Sequence, residues 1–384
     1  ENGDNLLHPT DATPQVRDRY ARFYSVSRIR SLAYERRGTA HTDLYESLKV
    51  LFLKLRDGYE PLGIPGMGSF LFSDDSTPDL DDALLANQDL LDAFRNLCYT
   101  EDTSGRGGSY RRPVDFGNLG SEELGSVYES LLELHPLIDT DEGPFTLGSA
   151  AGNERKTSGS YYTPTSLINC LLDSALDPVV HAAIDVSDPV EAEKKLLDLK
   201  VCDPACGSGH FLIASAERMA MHLARIRTGD DQPNTLDVQH AKRDIIGRCI
   251  YGVDINPMSV ELCKVSLWME ALEPGRPLSF LDHHIQCGNS LLGTTPALLE
   301  KGIPDDAFKP IEGDVKALAS ELKRDNKKQR KDYEKGQGQL FEPYIKLGNL
   351  PGEFTKLSSS VDDSVADIAK KERRYAELVS GVDY

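Results

Sequence analysis

Strand and helix patterns alternate through residues 151–295, which predicts an α/β fold: a parallel sheet with helices on its faces. A glycine turn, VCDPACGSGHFL at 201–212, falls where a strand would end and a helix begin. Residues 1–150 instead repeat apolar side chains at helical spacing, which predicts a mostly helical domain ahead of the sheet. A chain of 384 residues, 39% hydrophobic and 27% charged, is long enough for two or three domains with a sizeable core.

In the first 150 residues, Leu44, Leu48, Leu51, Phe52 and Leu55 follow helical spacing, and Gly58 supplies the stop. Asn87 is placed to cap a second helix carrying Leu90, Leu91, Phe94 and Leu97. Ser121 is placed to cap a third, with Glu122 and Glu123 in its first turn and Leu124, Val127 and Leu131 inward. Turn-rich stretches at 61–69 and 103–113 separate these helices. PDLDD at 78–82 has no following Glu-x-Lys, so it reads as a solvated helix start rather than a nuclease acid cluster.

From 151 the polar loop GNERKTSGS leads to YYTP, where Thr163 reads as an N-cap and Pro164 as the first helical residue. Leu167, Ile168, Leu171 and Leu172 continue that helix. LLDLKVCD, 196–203, reads as a strand, and a long helix through Phe211, Leu212, Met219 and Leu223 follows the turn. TGDDQPNTLD interrupts before a further helix and the strand CIYGVD, 249–254. Asn256 and Pro257 open the next helix, with Val260, Leu262, Cys263, Leu267 and Trp268. A last short strand falls at 284–288, where His283 and His284 read as its polar start. Residues 296–384 form a basic, partly flexible helical insertion: a basic run with a Gly/Gln-rich end at 321–339, then a helix over 362–381.

Several classes are excluded. No apolar run approaches the ~20 residues that span a bilayer, and ENGDNLLHPT lacks the features of a secretory signal. The absence of an initiator Met makes Glu1 read as an internal residue of a longer protein. Cys98, Cys170, Cys249, Cys263 and Cys287 sit in apolar patterns and read as reduced, buried side chains, which suits the cytoplasm. Cys202 and Cys206 belong to the glycine turn and have no second ligand pair for zinc. The formal charge of −19 leaves two readings for a nucleic-acid partner: the gripping surface lies elsewhere, or the chain binds something else.

A parallel sheet binds ligands beyond the carboxyl ends of its strands. The glycines Gly207 and Gly209 allow the chain to approach a ligand closely, and the turn's N–H groups and helix N-terminus favour a carboxylate. Leu212 stands where a dinucleotide fingerprint needs its third glycine, which argues against a nicotinamide cofactor. The complete D-P-A-C-G-S-G is similar to the cofactor loop of S-adenosylmethionine-dependent methyltransferases. In that setting Asp203 receives the cofactor's ammonium, and Asp254, ending the second strand, accepts both ribose hydroxyls. The other reading of Asp254 is a strand-end acid capping the Pro257 helix. Asn289 either contacts the exocyclic amine of the adenine or makes an Asx turn, and Leu291 and Ile255 either flank the adenine or belong to the core.

Taken in order, SGSYYTP (158–164), DPACGSG (203–209), YGVDINP (251–257) and CGNSL (287–291) resemble the gamma-class adenine-specific (N6) DNA methyltransferases. Large fused proteins of restriction–modification and phage-defence systems, including the BREX and DISARM types, look most similar, and LGSVYESLLEL at 124–134 resembles the domain preceding their methyltransferase. The resemblance implies a class I, Rossmann-like sheet over 151–295 that binds S-adenosyl-L-methionine, a helical domain over 1–150, and double-stranded DNA as partner. It also implies that Tyr161, Tyr162 and Thr163 close the cofactor pocket, with Ala205 and Phe211 flanking the turn.

The family's catalytic Asn/Asp-Pro-Pro-aromatic motif is absent: Asn-Pro occurs only at Asn256-Pro257, and no Pro-Pro exists. No catalytic residue is assigned. Either the motif follows in a longer protein, or the chain is a non-catalytic cofactor-binding module. Lys323, Arg324, Lys327, Lys328, Arg330 and Lys331 either contact phosphates or solvate the insertion, and the same choice holds for Lys370, Lys371, Arg373 and Arg374. Trp268 and Tyr251 read as core rather than base-stacking platforms.

Overall fold

Helices form where apolar residues recur every three or four positions, and the first four gather a single core. A computed structural model describes residues 7–9, 11–67, 72, 78, 82–102, 110–116, 123, 127, 134–138, 145–149, 163–293, 303–334, 350–360 and 363–380. Helices α1 (Pro14–Phe23), α2 (Val26–Glu35), α3 (Asp43–Asp57) and α4 (Asn87–Cys98) bury Tyr20, Ile29, Leu44, Leu48, Leu51, Leu55, Leu90 and Leu91 together. Gly58 ends α3 with φ +83°, a conformation that favours glycine. Phe52 and Leu97, predicted to face inward, are exposed because the buried stripe is narrower than the apolar pattern.

Asn87 does not cap its own helix. Ala86 is the N-cap of α4, and the Asn87 side chain reaches α3 instead. Its Oδ1 accepts Leu44 N–H at 3.1 Å and its Nδ2 donates to Asp43 Oδ1 at 2.8 Å, so it satisfies a first-turn donor of a helix 43 residues away. Asn87→Ala is expected to cost about 1–2 kcal/mol, read as a lower urea midpoint. An unchanged midpoint would show the bond to be idle.

The region expected to be mostly helical also holds two antiparallel pairs, β1 (Tyr99–Asp102) with β2 (Tyr110–Pro113) and β3 (Leu134–Ile138) with β4 (Phe145–Ser149). Most of the helix expected from Ser121, and the loop carrying Tyr161 and Tyr162, lie outside the described residues.

The second core belongs to α5 (Thr165–Ala175), α6 (Asp177–Ile184), α7 (Pro189–Asp198), β5 (Val201–Asp203), α8 (His210–Thr228), α9 (Thr235–Cys249), β6 (Ile250–Asp254), α10 (Pro257–Ala271) and β7 (Ile285–Cys287). The three strands are parallel in the order β5-β6-β7, with Asp203 opposite Gly252 and Asp254 opposite Cys287. Leu196, Leu212, Met219, Leu223, Ile245, Ile246, Leu267 and Ile285 are fully buried between sheet and helices. Each contributes about 1.5–3 kcal/mol of burial. Trp268 is core, its Nε1 donating to Ser279 O at 2.7 Å, and Tyr251 is half-buried, stacked on His284 at 4.1 Å.

Three boundaries differ from expectation. Pro164 is the N-cap of α5 rather than its first residue, so Thr163 precedes the helix without capping it. LLDLKVCD begins as helix: Asp188 accepts Val190 N–H, Pro189 starts α7, which runs to Asp198, and Leu196 is drawn into the core, leaving a strand of only Val201–Asp203. Cys249 ends α9 rather than opening β6. Cys170 and Cys287, predicted buried, are exposed; Cys98, Cys206, Cys249 and Cys263 are buried, and burial pushes the Cys249 thiol up to about 12.

His283 and His284 stand at the start of β7 as expected, and they are buried there. Burial first, then neighbouring positive charge, lowers His283 to about 2, and burial lowers His284 to about 3; His222 is lowered by burial too. These groups are neutral when folded but gain protons when unfolded below about pH 6.5. Stability is therefore full above that pH and is lost as pH falls toward the folded values, by up to about 1.4 kcal/mol per pH unit for each histidine. Urea unfolding between pH 7.5 and 5 should show this slope; a flat profile refutes it.

The chain divides into two compact units, one of Glu1–Gly288 with Ser358–Glu372 and another of Asn289–Leu357 with Arg373–Tyr384. Helices α11 (Lys316–Glu334), α12 (Leu350–Ser359) and α13 (Val365–Val379) follow the sheet. Within the second unit, Arg330 pairs with Asp305, and Asn326 Nδ2 donates to Ile303 O at 2.9 Å, which seats the 3-10 turn Asp305–Phe308 on α11. Among the described residues no single helix is long and apolar enough to cross a membrane.

Candidate cofactor site

Parallel pairing brings the carboxyl ends of β5, β6 and β7 to one edge, and with them Asp203, Asp254 and Cys287. The glycine turn is then tied down by its own N–H groups. Ala205 N–H donates to Asp203 Oδ1 at 3.0 Å, Cys206 N–H to Val253 O at 3.0 Å, and Gly209 N–H to Cys206 O at 2.8 Å. Gly207 N–H donates to Asp254 Oδ2 at 2.9 Å, while Asp254 Oδ1 accepts Asn256 N–H at 2.8 Å. Asp254 thus holds two loops at once. Asn256, not Asp254, caps α10, its Oδ1 accepting Met258 N–H at 2.9 Å.

Both turn glycines have positive φ, +53° at Gly207 and +91° at Gly209, but their surroundings differ. A Cβ on Gly209 would stand 2.8 Å from Cys263 Sγ, whereas a Cβ on Gly207 would meet nothing within 4 Å. Gly209 is thus glycine because α10 lies beneath it, and Gly207 opens onto free space. A third glycine, Gly252 in β6, lets the turn sit down on the sheet: its Cβ would fall 2.9 Å from Leu212 Cδ1 and 3.0 Å from Cys206 Sγ.

The electrostatics of this edge are acidic. Burial raises the Asp203 carboxyl above its ordinary range, the Ala205 N–H opposes this, and the charge of Asp254 adds to it. A cation near Asp203 would offset that destabilisation. Each Asp254 oxygen accepts one N–H and keeps a second lone pair for a hydroxyl donor. Four turn N–H groups are engaged internally, so an anion is left the first turn of α8, whose N–H groups have no helical partner. The chemistry of the edge therefore suits a ligand with an ammonium, vicinal hydroxyls and a carboxylate.

The predicted residues do not all gather at one point. Asp203, Ala205 and Phe211 line a cavity of ≈ 440 Å³ beside the edge strand β5, walled by Leu171 of α5, Val179 of α6 and Leu176 at their junction. Asp254 does not line it. Ile255 is 64% exposed and Leu291 90%, so neither is core. Asn289 and Leu291 belong to the second unit, where Asn289 Oδ1 accepts Leu291 N–H at 3.0 Å in an Asx turn. Thr163 stands just before α5, and Tyr161 and Tyr162 are not described.

Sequence reasoning missed three supports. Gly252 carries a signal, a lone glycine inside a strand pattern, which marks close backbone approach. Cys263 carries none that reaches Gly209. Its hydrogen bond to Cys206, then burial, raises its thiol well above the usual range. His210 Nδ1 lies 2.9 Å from Ser208 Oγ at the start of α8. Among the described residues no cluster of three or more metal-binding side chains occurs.

Residues 141–294 match the family model described as N-6 DNA Methylase, and residues 248–344 match that of the Eco57I restriction-modification methylase. A Methanocaldococcus jannaschii protein named as a type II restriction enzyme and methyltransferase is 27% identical over 62% of this chain and 23% of its own length. The adenine-specific methyltransferase PglX of Streptomyces coelicolor is 30% identical over 31% of this chain and 8% of its own. The type II restriction enzyme and methyltransferase RM.Eco57I of Escherichia coli is 24% identical over 49% and 19%. The chain thus spans less than a quarter of the length of these relatives. Among solved structures, that of the type IIL restriction-modification enzyme MmeI in complex with DNA aligns at a TM-score of 0.43 and 18% identity, over 72% of this chain and 36% of that one.

Proposed function

We propose that the edge of β5 and β6 is the S-adenosyl-L-methionine site of a restriction–modification DNA methyltransferase, a reading supported by the match of residues 141–294 to the N-6 DNA Methylase family model. The observation that carries the reading is the open space at Gly207 beside the two carboxylates. Asp203 receives the ammonium, Asp254 accepts the ribose hydroxyls while it fastens the turn, and the first turn of α8 faces the carboxylate. Ile255 is free to cover the adenine; Ala205 and Phe211 border the site, and Tyr161, Tyr162, Thr163, Asn289 and Leu291 are assigned by resemblance alone. The bound cofactor supplies an electrophilic sulfonium methyl, transferred directly to the N6 amine of adenine in duplex DNA. The sheet is then the Rossmann-like core of a gamma-class enzyme, and its host a restriction–modification or phage-defence system of BREX or DISARM kind.

A second reading is favoured by the missing Asn/Asp-Pro-Pro-aromatic motif: a cofactor-binding module without transfer chemistry. Calorimetric titration of the chain with S-adenosylmethionine, followed by a radiolabelled-methyl assay on duplex DNA with a protein extended past Tyr384, separates the two. Binding with transfer supports the enzyme, binding without transfer supports the module, and no heat at saturating cofactor refutes both.

A further inference from the structure

The strongest positive feature of this acidic chain lies outside the cofactor site, on α11. At 100° per residue, Lys316, Arg324, Lys327, Lys328 and Lys331 fall within an arc of about 120° on that helix. All five are exposed. Asn326 and Arg330 lie on a different arc and hold the 3-10 turn at Asp305, so the helix has one fastened side and one mainly cationic side, whose arc Glu334 shares at its last residue. The nearby acids leave the stripe largely unneutralised. Lys327 stands 3.6 Å from Asp305 and Arg324 3.8 Å from Asp325. Among the residues whose side chains are described, no ion pair forms at Lys316, Lys328 or Lys331. The other basic set differs: Lys371 is buried, and Arg374 is bound to Glu353 at 2.5 Å. In a chain of net charge −19, a solvent-facing cationic stripe on an ordered helix is the exception.

We infer that this stripe is a phosphate-tracking surface for duplex DNA. From Lys316 to Lys331 the helix rises about 22 Å, the length of roughly six steps of one DNA strand. Flexible lysines spaced along one helix side can follow that line of charge without reading bases, which makes the contact sequence-independent. The inference rests on the proposal that DNA is the partner, and the test keeps the two apart.

The test is fluorescence anisotropy of a labelled 30-base-pair duplex with the 384-residue chain and with the variant K316Q/R324Q/K327Q/K328Q/K331Q, from 50 to 200 mM salt. Glutamine keeps helix propensity while removing charge. The variant is expected to bind at least tenfold more weakly at 50 mM salt. The slope of log affinity against log salt should fall by about 4, at ~0.9 per phosphate lost. Neutralising Arg22 and Lys195, exposed cations elsewhere, should change the slope by less than one. Unchanged affinity and slope in the five-fold variant would overturn the stripe and leave DNA as partner. A loss equalled by the Arg22/Lys195 variant would also overturn it, as a mere net-charge effect. No binding of DNA by the unaltered chain at 50 mM salt would overturn both, and a preference for single-stranded RNA would overturn the duplex assignment.

Discussion

Asp254→Ala is expected to weaken S-adenosylmethionine binding by on the order of a hundredfold or more. Hydrogen bonds to a charged group contribute about 1.5–3 kcal/mol each, and about 1.4 kcal/mol is tenfold in affinity. The loss has a second part, since Asp254 also holds Gly207 N–H and Asn256 N–H. Removing it frees the turn that the cofactor rests on. Asp254→Asn separates the parts: it keeps one carbonyl oxygen for a loop N–H but turns the other acceptor into a donor. Its affinity should lie between those of the unaltered chain and the alanine variant, with a smaller loss of thermal stability. Titration calorimetry reads the affinity and thermal unfolding reads the loop. Affinity within twofold in Asp254→Ala would remove the carboxylate from the pocket.

The two turn glycines should fail in opposite ways. Gly209→Ala places a Cβ 2.8 Å from Cys263 Sγ at a backbone φ of +91°. Backbone strain of about 1–3 kcal/mol is joined by an overpacking cost of about 1–3 kcal/mol, so this variant loses stability with or without cofactor. Adding Cys263→Ala removes the sulfur and should restore the overpacking part alone. Gly207→Ala meets nothing within 4 Å and bears only the left-handed strain, about 1–2 kcal/mol. It should fold but lose cofactor affinity by tenfold or more, because the new methyl occupies the space the ligand needs. Equal affinity in Gly207→Ala and the unaltered chain would mean that the open space at this turn is not where the ligand lies.

Much of the backbone around the glycine turn was legible from the sequence because it is local. The positive-φ turn glycines, the acid at the end of β6 and the Asn256-Pro257 helix start stand where the pattern put them, because turns and helix starts are set by neighbours a few residues away. The misreadings share one cause. Asn87 fits the pattern of a cap, yet its amide serves a helix 43 residues distant. LLDLKVCD has the apolar run of a strand, yet the core takes Leu196 from a helix. Cys170 and Cys287 sit among apolar residues and still face solvent, since composition does not say which side of an element is covered.

By itself, the sequence determined the order of strand, turn and helix in the cofactor region and the residue types that line the turn, because backbone freedom and capping are short-range properties. Only the tertiary structure decided that Asp254 reaches back 47 residues to Gly207, that Cys263 lies under Gly209, and that Gly252 makes room for Leu212. Those outcomes depend on how helices pack against the sheet, and packing is set by the whole set of buried side chains rather than by any one segment.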